Sequence, residues 1–297
     1  MIRLGIVDFD TSHVVQFTKR LNHIDIAEEQ WVEGAKIVMG YQGTSRITPQ
    51  ERIDEYTAQV KAMGVELVDR PEEMIGKVDG ILVESQEGAV HLERARPFLE
   101  AGIPCYVDKP FATSVADAKA IVALANKHNV PVFSSSSLRY ALEIQKLQEE
   151  GVGKIFGVDA YSPASLHEYN PGLFHYGIHG VETLYALMGP GCESVTCTFT
   201  EGGEVTTGLW KDGRIGVMRG TRAGSHSYGF VAWTEKGVRQ VTIDANYIYR
   251  ELLKRIVQMF QTGKSPLDNA ETIEIVAFQV AALQSAQKGG ERVALDV

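Results

Sequence analysis

The chain has 297 residues, 44% of them hydrophobic, which is enough for two domains at the usual scale of about 150 residues each. Its 38 acidic and 29 basic residues leave a formal charge of −9, which would repel phosphate backbones and anionic lipid and argues against nucleic acid or a membrane surface as partner. No apolar run approaches the roughly 18 residues of a membrane span, no secretion signal precedes the first strand pattern, and Cys105, Cys192 and Cys197 lack metal or redox spacing, so a cytoplasmic protein is expected.

Short apolar runs alternate with helical patterns through the first half. "IRLGIV", "KIVM", "VELV", "DGILVES", "IPCYVD" and "VPVFSSS" read as strands, with helices expected near 12–22, 48–63, 89–101 and 114–128. This is the βα alternation of a doubly wound parallel sheet, and a Rossmann-like domain is expected over residues 1–137.

The pattern changes after Ser137. A helix at "YALEIQKLQEEG", a strand at "IFGVDAY" and a helical stretch at "HYGIHGVETLYALMG" lead into "SVTCTFT", "EVTTGLW", "RIGVMRG", "YGFVAWT" and "RQVTID". Those runs, spaced by Gly-containing turns, read as an antiparallel meander, closed by helices near 245–262 and 269–288 and a short strand. The expected fold class is thus α/β, with an α+β second domain over 138–297 built on an open, mostly antiparallel sheet. A bare sheet face invites association, so a homo-dimer or homo-tetramer through that sheet is expected.

Three stretches bear chemistry. In "LGIVDFDTSHVVQF" a buried strand turns into a helix, the opening of a dinucleotide-binding domain, but aspartates stand where glycines are expected. Glycine lets the backbone approach a pyrophosphate, which carboxylates repel. Three readings compete: Asp10 caps the helix starting near Ser12; Thr11, Ser12 and the helix N-terminus hold a phosphate with the loop displaced; or Asp8, Asp10 and His13 face a less anionic ligand or a metal. In "VDKPFATSVADAKA", Asp108, Lys109 and Pro110 follow the fifth strand, at the strand ends where α/β sheets bind ligands, although a solvated loop lysine fits the spacing too. In "FHYGIHGVE", His175 and His179 are four apart and would share one helix face. An imidazole near pKa 6.5 can take an alcohol proton while a neighbour orients it. A pair of core histidines is the alternative, and a metal with Glu182 as third ligand fits less well.

The DKP loop, the "GILVESQEGAVHLERARPFLEAGIPCYVDKP" stretch leading to it, the "GIHGVE" helix and the closing "FQTGKSPLDNAETIEIVAFQVAALQSAQKGGERVAL" together resemble the Gfo/Idh/MocA family over nearly the whole chain. The resemblance implies an N-terminal Rossmann domain, a C-terminal domain with a large open sheet, and NAD or NADP as cofactor. It carries the family's lysine onto Lys109 and its histidine onto His179. The first aspartate of the family's D-x-G-x-H-x-x-D stretch falls on His175 and the last on Glu182.

The family's small turn positions fall on Asp8, Asp10 and His13. Phe9, Asp10, Thr11, Ser12, Ser85, Gln86 and Lys109 are the expected cofactor contacts. His91 stands near where the family often has a histidine, with a backbone-bonded helix histidine as the other reading. No acidic residue closes the second strand for the ribose; Tyr41, Gln42, Ser45 and Arg46 follow it and would suit a 2′-phosphate or serve as ordinary loop residues.

The expected activity is hydride transfer between a nicotinamide cofactor and a secondary hydroxyl of a sugar, polyol or related compound. His179 would be the base, Lys109 the stabiliser of the alkoxide and His175 an orienting or relay residue. The alternatives are a cofactor-free carbohydrate-binding or regulatory protein of the same fold, and a lyase or hydrolase using the same lysine and histidines.

Overall fold

The computed structural model describes residues 1–224 and 226–297; Ser225, in the loop "RGTRAGSHSYG" read as shaping the substrate site, lies outside the described residues. The chain divides into two units. The first comprises Met1–Ala112, Ala116–Ser135 and Tyr249–Asn269, and the second Thr113–Val115, Ser136–Ile248 and Ala270–Val297.

In the first unit, β1 (Ile2–Val7), β2 (Ala35–Tyr41), β3 (Glu66–Leu67), β4 (Gly80–Val83), β5 (Cys105–Val107) and β6 (Val132–Phe133) form one parallel sheet in the order β3-β2-β1-β4-β5-β6. The connections are α1 (His13–Asn22), α2 (Gln50–Ala62), α3 (His91–Glu100) and α4 (Val115–Lys127). The strands of "IRLGIV" and "DGILVES" are central and buried on both faces, which is why they read as continuous apolar runs. Strand order reverses between β1 and β4, and the loops beyond their carboxyl ends are where such sheets take ligands. On α1, Val14, Phe17 and Leu21 recur at helical spacing and are buried against the sheet.

The second unit holds α5 (Leu142–Glu149), β7 (Ile155–Pro163), α6 (Ile178–Met188), and strands β8 (Cys192–Thr200), β9 (Gly203–Trp210), β10 (Ile215–Thr221), β11 (Gly229–Thr234) and β12 (Gly237–Thr242). α7 (Ile248–Thr262), α8 (Asn269–Gln287) and β13 (Val293–Ala294) follow. Its sheet runs β12-β11-β7-β10-β9-β8-β13, antiparallel except for the β10–β7 pair. α6 is buried all round except at Ala186, so its apolar residues show no single stripe. Gly180 permits this depth, because a Cβ there would stand 2.3 Å from Met218 Sδ and 2.9 Å from Ser162 Oγ.

One element departs from the expected division at 137/138. α7 packs with the first unit, where Tyr249 meets the rings of His13 and Phe17 and Arg250 donates to the Glu29 carbonyl at 2.8 Å. Amphipathic spacing announces such a helix but not which sheet receives its apolar face. No helix among the described residues is long and apolar enough to cross a membrane.

Candidate functional site

The β1–α1 turn, residues 8–12, contains no glycine. Asp8 adopts φ +64°, the left-handed conformation that glycine supplies most readily and that aspartate tolerates better than most residues. Its side chain lies in a buried niche. There Ser85 Oγ donates to Asp8 Oδ2 at 2.6 Å and Arg94 Nε donates to the same oxygen at 2.9 Å. Gly43 opposite has φ +68°, and a Cβ on it would overlap Asp8 Oδ1 at 1.8 Å. Burial raises the Asp8 pKa, with the Arg94 charge opposing.

Asp10 does not cap α1, contrary to one sequence reading. Ser12 is the N-cap and makes no side-chain cap bond, while Asp10 Oδ1 accepts from the Gln86 amide at 3.0 Å. The carbonyl of Asp10 accepts from Gln86 Nε2 at 2.6 Å and from Thr48 Oγ1 at 2.7 Å. Burial, with the Asp8 charge adding to it, pushes Asp10 up to about 7 against hydrogen bonds from Ser45 and Gln86.

The other expected cofactor contacts fare unequally. Phe9 is removed as a side-chain contact: its ring is fully buried beneath Gly40 and its amide donates to Gln42 O at 2.8 Å. Ser85 and Gln86 are at the expected strand end, committed to Asp8 and Asp10 respectively. Thr11 and Ser12 open α1, and their amides donate to no acceptor among the described residues. Lys109 is half-buried directly after β5. After β2, Arg46 pairs with Glu87 and Gln42 Nε2 donates to Asp54 at 2.7 Å, so both read first as loop-holding residues. His91 is fully buried with Nδ1 3.1 Å from Phe111 O and Nε2 2.8 Å from Ser85 O, the backbone-bonded reading; burial lowers its pKa.

Beneath the turn lies a cluster that the sequence reading did not assemble. His13 Nδ1 is 2.8 Å from Asp108 Oδ2 and 3.5 Å from Glu84 Oε2, and all three residues are buried. Burial opposes a charged His13, yet Asp108 raises its pKa well above the ordinary value. Burial would raise Asp108, but the His13 charge outweighs it and holds the carboxyl down at about 2. Burial and the Asp108 charge push Glu84 up to about 7.

In the second unit, His179 sits in the first turn of α6, and its Nδ1 is hydrogen-bonded to Ser136 Oγ at 2.6 Å. Ser136 is itself fixed: its Oγ accepts from Leu138 N at 3.1 Å and its amide donates to Glu182 Oε1 at 3.2 Å. Glu182 Oε2 accepts from Arg139 Nε at 2.5 Å, and Arg139 reaches Glu271 at 2.7 Å. Those two carboxylates outweigh burial and raise the Arg139 pKa further. Glu182 is therefore tied to an arginine, which removes it as a metal ligand beside the histidines.

His175 does not share a helix face with His179. It follows the short 3-10 turn Gly172–Phe174, outside α6, and its ring packs against His167 at 5.2 Å and Tyr176 at 6.1 Å. The four-residue spacing presumed a continuous helix, which the turn interrupts. Around His179 the rings of Tyr176 and Tyr228 stand edge-on at 5.1 and 5.8 Å, and both tyrosines line a cavity of about 600 Å³ with Ser165, Leu166, Thr221 and Arg222.

Comparison with known proteins adds to this geometry. Residues 45–136 match the GFO_IDH_MocA model, an oxidoreductase family with an NAD-binding Rossmann fold. The match begins after the β1–α1 turn and includes Ser85, Gln86 and Lys109. The "Uncharacterized oxidoreductase YhhX" of Escherichia coli (strain K12) is 33% identical over 113 residues, 33% of this chain, and the chain spans 32% of the length of that curated relative.

Whole-chain likeness is found among solved structures. A probable dehydrogenase from Thermotoga maritima has TM-score 0.78 at 19% identity, covering 99% of both chains. A myo-inositol dehydrogenase from Corynebacterium glutamicum has TM-score 0.78 at 16%, covering 100% of this chain and 99% of its own. GenD2 from gentamicin A biosynthesis, solved in complex with NAD, has TM-score 0.80 at 16%, with 100% and 97% covered. At these identities the likeness is one of fold, and it bears out the Rossmann domain followed by a mixed-sheet domain.

Proposed function

We propose that the protein is a nicotinamide-dependent oxidoreductase that exchanges a hydride with a secondary hydroxyl of a sugar, polyol or related compound. The observation that carries this reading is the β1–α1 turn, where two amides without acceptors open a helix at the switch point of a Rossmann sheet. Such a helix start suits an anion. The turn's aspartates do not forbid one. Asp8 is paired with Arg94, and Asp10, pushed up to about 7, carries only part of its charge near neutrality. Thr11 and Ser12 would hold the pyrophosphate, with Ser85, Gln86 and Lys109 toward the nicotinamide end. When bound, the cofactor accepts or returns the hydride.

The chain's own residues supply the proton chemistry. His179, with Nδ1 anchored on Ser136, would take the hydroxyl proton at Nε2. Lys109 would stabilise the oxygen as negative charge develops. The aromatic and hydroxyl lining of the neighbouring cavity, with Tyr176, Tyr228, Ser165 and Thr221, supports a polyhydroxylated substrate. The similarity in fold to a myo-inositol dehydrogenase supports the same reading. Titration of the protein with NAD, NADP, NADH and NADPH, followed by a polyol and sugar panel monitored for reduced nicotinamide, tests the reading. Absence of saturable binding by all four nucleotides would refute it and favour a cofactor-free binding protein.

A further inference from the structure

Glu84, directly after β4, has a fully buried carboxylate, and neither of its oxygens has a hydrogen-bond donor among the described residues. A buried carboxylate without a donor is costly unless a cation or a proton compensates it. Its nearest partner is His13 Nδ1 at 3.5 Å, and the same nitrogen is 2.8 Å from Asp108 Oδ2. One imidazole nitrogen and two carboxylate oxygens thus lie within 4.8 Å of one another, all buried.

We propose that His13, Glu84 and Asp108 bind a divalent transition-metal cation of the zinc type. Charge is compatible with it: neutral imidazole with two carboxylates and a dication sums to zero, so the buried cluster would hold the cation without net charge. Geometry supports it next. Bonds of about 2.0 to 2.2 Å in a tetrahedral arrangement put ligand atoms about 3.4 Å apart, and the 2.8 and 3.5 Å separations bracket that value. The donor set selects among metals, since one nitrogen beside two oxygens suits zinc or its transition-series neighbours, while magnesium and calcium take six or more oxygens. Regular elements present all three groups: Glu84 directly after β4, Asp108 directly after β5 and His13 as the first residue of α1. The His13 ring is held by stacking on Phe17 and an edge contact with Tyr249. Three protein ligands leave a fourth position for water or another ligand.

This inference does not rest on the oxidoreductase reading. Full-length protein stripped with chelator and titrated with Zn²⁺ in competition with a chromophoric chelator is expected to bind one equivalent, with a saturable rise in Tm. Co²⁺ in its place is expected to give the visible bands of a low-coordinate site. Glu84→Gln, which keeps the shape and removes the charged ligand, is expected to weaken binding by more than about 100-fold, beyond what loss of an outer partner costs. The proposal is overturned if the wild-type chain binds no Zn²⁺ and shows no shift in Tm, because the cluster is then a proton-held network. It is also overturned if Glu84→Gln binds as tightly as wild type, because the metal is then elsewhere.

Discussion

Replacing Asp8 with glycine separates the turn's shape from its charge. Three terms can be set against one another. Asp8 holds φ +64°, so glycine relieves about 1 kcal/mol of left-handed strain. Against this stands the loss of the bonds from Ser85 at 2.6 Å and Arg94 at 2.9 Å. Breaking a buried charge pair costs about 3 to 5 kcal/mol. Arg94, however, is 20% exposed and keeps Glu93 as a second partner at 2.7 Å, which places the loss toward about 2 to 3 kcal/mol. The net expectation is a fold weakened by about 1 to 2 kcal/mol. Dinucleotide binding should move the other way. Removing one negative charge and leaving the Arg94 cation available near the helix start is worth on the order of 1 kcal/mol at a partly exposed position, or roughly fivefold to tenfold in Kd. Denaturant unfolding and NADH titration of the single variant, and of Asp8→Gly with Asp10→Gly, measure both effects. Weaker NADH binding in a variant that remains folded would mean that the carboxylates help the ligand, and the view of the turn as a charge handicap would be wrong.

Other outcomes follow from the same structure. Lys109→Ala and His179→Ala should fold normally and lose about 10² to 10⁴ in turnover on any substrate found, whereas His175→Asp should keep a measurable share; steady-state kinetics beside thermal unfolding decide this. The outer face of the second unit's sheet carries Ile215, Trp233 and Val238 at 54, 40 and 57% exposure, with Trp233 paired to Val238 and both Ile215 and Trp233 opposite Gly157. A homo-oligomer through this patch is proposed, and Trp233→Glu should lower the sedimentation coefficient; a wild-type monomer at micromolar concentration would count against it. Asp10 has its folded pKa raised to about 7, so its contribution to stability is full below the unfolded carboxylate pKa and is lost as pH rises toward 7. Denaturant midpoints between pH 4 and 8 should fall less steeply in Asp10→Asn than in wild type.

The first unit was legible because its central strands are short apolar runs, largely buried, and α1 repeats its apolar residues at helical spacing, so periodicity and burial agree. The turn was legible as an anomaly but not in its resolution. Side-chain direction at Asp8 depends on Arg94, 86 residues away, and no local pattern announces that pair. The same holds for His13, Glu84 and Asp108, which come from the start of α1 and from the residues after β4 and β5. Ser136 had a signal that went unused: Ser134 to Ser137 are all buried, and four serines following an apolar strand need partners inside the protein. Ser136 among them is the group that holds His179. His175 was misplaced because a four-residue spacing was taken as helical through Gly177, where α6 has not yet begun.

Glu182 shows how a family-like position can serve the same residue by a different route. The resemblance puts an acid there, three residues after His179, and the obvious role would be a direct bond to the imidazole. Instead its carboxylate spans the Ser136 amide and Arg139, so it fixes the loop whose serine holds Nδ1. Arg139 in turn is shared with Glu271 on α8, which makes the loop, α6 and α8 one buried polar network. Such a network has value only when fully paired, because each member removed leaves another charge buried and alone. The orientation of His179 is therefore set by groups that need never touch a substrate. The interrupted turn before α6 sets the His175 ring beside His167 and Tyr176, and substitutions at 136 or 182 are expected to perturb the base through the bonds that fix Nδ1.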